Sequence, residues 1–113
     1  MIREMQRVRA RGVKYSEAYE IEYEQDAPGP GDWIAIPRDA GVIAVQVDFP
    51  NGPGVARVES TLSTLQRATD SEAVPEAWPA GNVFATVSDF VYVATAIRLV
   101  VQSGTARLSA RAT

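Results

Sequence analysis

The chain has 113 residues, of which 46% are hydrophobic and 22% charged, with a net charge of −3 and neither cysteine nor histidine. That length supports a single core, and a chain this apolar is not disordered throughout. Without Cys or His it lacks disulfides, zinc–thiolate and iron–sulfur ligand sets, the thiol nucleophile and the commonest general base. No cofactor, no metal and no enzymatic activity are therefore expected. No apolar run approaches the roughly 20 residues of a membrane helix, and no signal-peptide pattern opens the chain. A membrane partner is not expected.

Charge is segregated at the start. Residues 1–14 hold Arg3, Arg7, Arg9, Arg11 and Lys14 against the single Glu4. Residues 15–32 hold Glu17, Glu20, Glu22, Glu24, Asp26 and Asp32 with no basic residue. Nucleic-acid proteins carry positive charge over a folded face; here only a short leader without aromatic interleaving is basic, so nucleic acid is not the expected partner. The leader reads in two ways, as a solvated start or as an arm ordering against an acidic surface. In the second reading Arg3, Arg7, Arg9, Arg11 and Lys14 are partner-binding residues, and the acidic surface includes the 17–32 stretch of another copy. Ile2, Met5 and Val8 recur every third residue, which suits a short helix ended by Gly12. Tyr19, Ile21 and Tyr23 alternate with Glu20, Glu22 and Glu24, predicting an edge strand with an acidic outer face. The run Ala27-Pro28-Gly29-Pro30-Gly31 continues neither element. It divides the chain into a charged arm (residues 1–30) and a β-sandwich domain (31–113).

From Gly31 the pattern has the period of strands. Trp33-Ile34-Ala35-Ile36 is a short apolar run between Pro30-Gly31 and Pro37. Ile43, Val45, Val47 and Phe49 alternate with Ala44, Gln46 and Asp48, as in a strand with one buried face. Asn51-Gly52-Pro53-Gly54 suits a hairpin-type reversal between Phe49 and Val55, and 55–63 is the next strand. Residues 65–80 are polar, contain Pro75 and Pro79, and read as a surface loop with one helical turn near 71–73. Residues 82–88, 91–102 and 105–110 are further strands. Ser103-Gly104 as a two-residue turn closes the last two into a hairpin, pairing Val101 with Ala106, Leu99 with Leu108 and Ile97 with Ala110. On the other face of that hairpin Val100 meets Arg107 and Arg98 meets Ser109. Short strands between Gly/Pro turns, with almost no helix, predict an all-β antiparallel sandwich or jelly-roll-like barrel.

Chemistry is sparse. Asp70, Glu72 and Glu76 share the 65–80 loop, but glycoside hydrolysis needs two carboxylates facing each other across a cleft. The Asp-x-Asp-x-Asp-Gly spacing of a calcium loop is absent. Asn51-Gly52-Pro53-Gly54 lacks the Lys and following helix of a phosphate loop. Trp33 and Trp78 read either as buried anchors or as sugar-stacking platforms. Phe84, Phe90, Tyr92, Ala96 and Val100 fall on or near the face opposite Ile97, Leu99 and Val101, and a strand apolar on both sides usually has a second partner.

The segment 83–112, led in by Trp78-Pro79-Ala80-Gly81-Asn82-Val83 and running through Ala94-Thr95-Ala96-Ile97-Arg98-Leu99-Val100-Val101-Gln102-Ser103-Gly104-Thr105-Ala106-Arg107-Leu108, resembles small β-sandwich virion proteins of tailed bacteriophages. That group comprises capsid decoration or cement proteins and head–tail accessory proteins. The resemblance implies a virion structural protein without a catalytic site, in contact with a major capsid protein or other virion proteins. It implies dimers or trimers on the shell, with an extended terminus reaching neighbours, assembled in the host cytoplasm. The alternative from the residues themselves is a carbohydrate- or receptor-binding sandwich of a tail or surface protein.

Overall fold

A computed structural model describes residues 2–9, 17–38, 40–91 and 94–112. Its elements in chain order are β1 (Ile2–Glu4), β2 (Gln6–Arg9), β3 (Glu17–Gln25), β4 (Gly29–Pro30), β5 (Trp33–Ala35), β6 (Ile43–Asp48), β7 (Val55–Thr61), helix α1 (Leu65–Thr69), β8 (Glu76–Ala77), β9 (Val87–Val91), β10 (Ala96–Ser103) and β11 (Ala106–Ala112). They form two sheets. Sheet A runs β1-β5-β10-β7-β8 with β4 also on β10, and sheet B runs β2-β3-β11-β6-β9. Pairing is antiparallel except between β1 and β5. The expected all-β antiparallel sandwich is the fold.

Alternation decides which side chains enter the core. Ile43, Val45 and Val47 of β6, Ile97, Leu99 and Val101 of β10, and Leu108 of β11 are all at most 2% exposed. They meet Ile34 and Val58 between the sheets. Each such aliphatic side chain contributes about 1.5–3 kcal/mol by leaving water, so the inter-sheet layer is the main source of stability.

Several expectations are corrected by the topology. The closing hairpin is not a hairpin: β10 lies in sheet A against β7, and β11 lies in sheet B between β3 and β6. Leu99 stands opposite Val58, and Leu108 stands between Tyr23 and Val47. The apolar faces of the two strands are those expected, but they confront each other across the core instead of lying side by side. The reversal at Asn51-Gly52 likewise carries the chain from β6 in sheet B to β7 in sheet A, with Gly52 at φ 102°. The expected strand over 91–102 is split, since β9 ends in sheet B at Val91 and β10 starts in sheet A at Ala96. Of the expected strand over 82–88, Val83 makes only an isolated bridge to Ala56 before β9 begins.

The start of the chain also differs. The expected helix over Ile2, Met5 and Val8 is two short strands that bend at Met5, which is 8% exposed and packed in the core. Of the three, only Met5 enters the core. Ile2 packs with Trp33 and Ala68 on the outside of sheet A, and Val8, two residues from Gln6, shares the outer face of sheet B, so the spacing of three reflects the change of sheets and not a helical stripe. β3 is not an edge strand, because β2 and β11 flank it. Strands from residues 2–30 thus belong to both sheets.

The 65–80 segment holds its helix at Leu65–Thr69, earlier than the expected turn at 71–73. Thr64 caps it, its hydroxyl oxygen accepting from the Arg67 amide at 3.3 Å, and Ser71 at φ 59° takes the chain out of the helix. Ala68 of α1 packs with Trp33 and Ala96 on the outside of sheet A.

Candidate interaction surface

The two outer faces of the sandwich differ. Sheet A is covered. α1 lies over Trp33 and Ala96, and beside them an ionic cluster closes on itself. Glu59 is 6% exposed. Its Oε1 accepts from Arg98 Nε at 2.9 Å and Nη2 at 2.7 Å, and its Oε2 accepts from Arg57 Nε at 2.8 Å. The Arg98 guanidinium lies 4.4 Å from the Trp33 ring centroid, a cation–π stack. Burial pushes the Glu59 carboxyl up, but the hydrogen bonds and charges of Arg98 and Arg57 outweigh it and hold it below its ordinary value. Trp78 is 3% exposed, and its indole N–H donates to the Gly81 carbonyl at 2.6 Å. With Trp33 at 6%, both indoles are structural anchors and neither is presented as a stacking platform. Ala96 and Val100 are also buried, Tyr92 lies outside the described residues, and Phe84 and Phe90 are exposed.

Sheet B is open. Strand register arranges its outer side chains in rows across the strands. One row runs Gln6, Glu20, Arg111, Ala44, Phe90. The next runs Glu22, Ser109, Gln46, Ser88, where Gln46 Nε2 donates to Ser88 Oγ at 3.2 Å. The third runs Glu24, Arg107, Asp48. Arg107 is held by a bidentate pair to Asp48, with Nε donating at 3.0 Å and Nη2 at 2.6 Å. Glu22 stands 3.4 Å from the same guanidinium. The Asp48 hydrogen bonds, then its charge, raise the Arg107 pKa further. Arg111 forms no ion pair within the described residues. An open groove of about 1150 Å³ follows this face, lined by Glu4, Glu20, Gln46, Phe90, Ser109 and Arg111 among others.

The basic residues singled out in the sequence fall as follows. Arg3 donates from Nε to Asp32 Oδ2 at 3.0 Å and stacks at 5.0 Å on Tyr23. Leader and acidic stretch therefore meet here within one chain, where the sequence reading set the leader against another copy. Arg7 lies on β2 opposite Tyr19, and the Arg9 backbone lies opposite Glu17. Arg11 and Lys14 lie outside the described residues. On the 65–80 loop, Asp70 accepts from Gln66 Nε2 at 2.9 Å, and Glu76, on β8, is the register partner of Ser60 on β7. Among the described residues no three Asp or Glu side chains converge as a metal site. The face of sheet B was not singled out in the sequence. Its signal is present there, in the period-two stripes Glu20, Glu22, Glu24 and Arg107, Ser109, Arg111, which become one surface only once β3 and β11 are neighbours.

Fold and surface together define an antiparallel-dominated β-sandwich with one covered and one open face. No family model, curated protein or solved structure matches this chain.

Proposed function

We propose that this chain is a non-enzymatic structural protein of a phage virion, a capsid decoration or head–tail accessory component. It binds a major capsid protein or another virion protein, and its own copies, through exposed surface. The observation that carries this reading is the open outer face of sheet B, whose charges are arrayed on a rigid ladder while the opposite face is sealed. Rows of fixed, alternating charge favour docking of a complementary surface, setting partner choice and register more than affinity. Each exposed pair contributes only about 0–1 kcal/mol, so attachment is collective and weakens as salt screens it. The resemblance of residues 83–112 to virion proteins supports the class of assembly. The test is quantitative mass spectrometry of purified particles from the source that encodes the chain. A fixed copy number per major capsid subunit is expected, and its absence from intact particles would overturn the proposal.

A second reading is favoured by one observation. Phe90, 51% exposed, stands at the margin of a groove with Arg111, Gln46 and Ser109 on its floor, the combination of one stacking ring and convergent polar groups that a glycan requires. Line broadening of Phe90 and Arg111 resonances on titration with oligosaccharides, in a chain absent from particles, would select this reading.

A further inference from the structure

Among the described residues, sheet A runs from β1 to β8 and sheet B from β2 to β9, and these end strands are protected in different ways. β8 is only two residues long and is flanked by Pro75 and, past Trp78, Pro79, and proline and shortness both blunt an edge. β1 is three residues long and carries Arg3 and Glu4. β2 carries Arg7. β9 has none of these devices except a single acid. It is five residues long without proline or a basic residue, it borders sheet B beyond β6, and it exposes Phe90. Such an edge is a template for strand addition.

β9 has one charge, Asp89, in an unusual place. Its Cα partner is Val45, a core residue 2% exposed, so Asp89 occupies an inward-facing position between Val87 and Val91. The Phe90 amide donates to Asp89 Oδ1 at 2.8 Å. That amide is therefore not spent on β6 and points to the free edge, as the alternating bond pattern of antiparallel strands requires. The carboxylate thus occupies the donor that an added strand would use.

We infer that Asp89 is the gatekeeper of sheet B, preventing the β9 edge from pairing with β9 of a second copy. The occupant it excludes is a second copy because the edge is self-complementary. In the antiparallel register centred on Asp89, Ser88 and Phe90 of one chain exchange bonds with Phe90 and Ser88 of the other. The same register sets Asp89 against its counterpart, and directly opposed like charges destabilise a pair. The carboxylate acts twice, by capping the Phe90 amide and by repelling its own image. This inference is independent of the virion reading, since it concerns one edge and one residue.

The experiment compares self-association of the full chain by sedimentation equilibrium, with folding checked by circular dichroism. Asp89→Ala removes cap and charge and is expected to raise the association constant by about tenfold or more, the equivalent of 1.4 kcal/mol. Asp89→Asn removes the charge alone and is expected to give a smaller rise. Asp89→Ala combined with Phe90→Pro deletes the outward amide without costing a ladder bond, and is expected to return association to the wild-type value. Association of the wild type through another face leaves these differences intact. If neither Asp89→Ala nor Asp89→Asn associates more than wild type, or if Phe90→Pro fails to reverse the gain, the inference is overturned. Should Asp89→Ala not fold, Asp89→Asn decides by the same comparison.

Discussion

Leu99→Ala tests the inter-sheet layer most directly. Leu99 is fully buried, and its strand is bonded to β7 along most of its length. Truncation removes three carbons, worth roughly 2.4 kcal/mol at about 0.8 kcal/mol per buried methylene. The vacated space is bordered by side chains on hydrogen-bonded strands of both sheets, which collapse poorly, so a residual void of ~40 Å³ at ~24 cal/mol per Å³ adds about 1 kcal/mol. The expected loss is therefore about 3.4 kcal/mol, a large share of the roughly 5–15 kcal/mol that holds a domain of this kind folded. Leu108→Ala, equally buried in the facing sheet, should cost a similar amount. Urea unfolding followed by tryptophan fluorescence is the natural assay, because Trp33 and Trp78 are both buried and shift their emission on exposure. Arg111→Ala, on the open face, is the control and should change the midpoint little. A loss below about 1 kcal/mol for Leu99→Ala, or one equal to that of Arg111→Ala, would refute a core held between the sheets.

The arch between β10 and β11 can be read by cross-linking, since the chain has no native thiols. Oxidation should join a cysteine pair at Ser109 and Gln46, which are register partners, but not one at Arg98 and Ser109, which lie on opposite outer faces, beyond the ~7 Å Cα limit of a disulfide; the reverse result would restore the hairpin. Gly104→Ala should destabilise by about 2–4 kcal/mol in thermal unfolding, beyond the 1–2 kcal/mol of left-handed strain alone, because Gly104 sits at φ 73° and an added Cβ would lie 2.5 Å from the Pro53 carbonyl oxygen. For Glu59 the folded pKa is depressed, so its contribution is present above the unfolded value and is lost as pH falls through the folded one. Glu59→Gln should therefore flatten the loss of stability between about pH 5 and pH 3, and an unchanged acid slope would refute a stabilising role for its charge.

Much of this fold was legible in local pattern. The inward sets Ile43, Val45, Val47 and Ile97, Leu99, Val101 follow from a period of two, and burial of one face is a property each strand carries by itself. The acidic outward stripe of β3 was legible for the same reason, whereas the burial of Trp78 was one of two readings its local context left open. The open face of sheet B was not, because Glu22, Arg107 and Asp48 lie on three strands far apart in the chain, and no local spacing joins them. Asp89 was equally hidden. An acid between Val87 and Val91 reads as an ordinary interruption until β9 proves to be an edge.

What the sequence by itself determined is therefore the strand character of the long segments β3, β6, β7, β10 and β11 and the side of each that faces the core, while β1 and β2 read as a helix and β4 and β8 as turn and loop. Only the tertiary structure decided which strands are neighbours. Ser103-Gly104 permits a tight hairpin, and an apolar stripe is buried equally well beside another stripe or across from it. The hydrophobic term is non-directional, so it does not choose between those arrangements. The choice falls to the backbone ladders, which need partners along whole strands. β7 offers one to β10, and β3 and β6 offer two to β11, so the last two strands part into different sheets and meet only through their side chains.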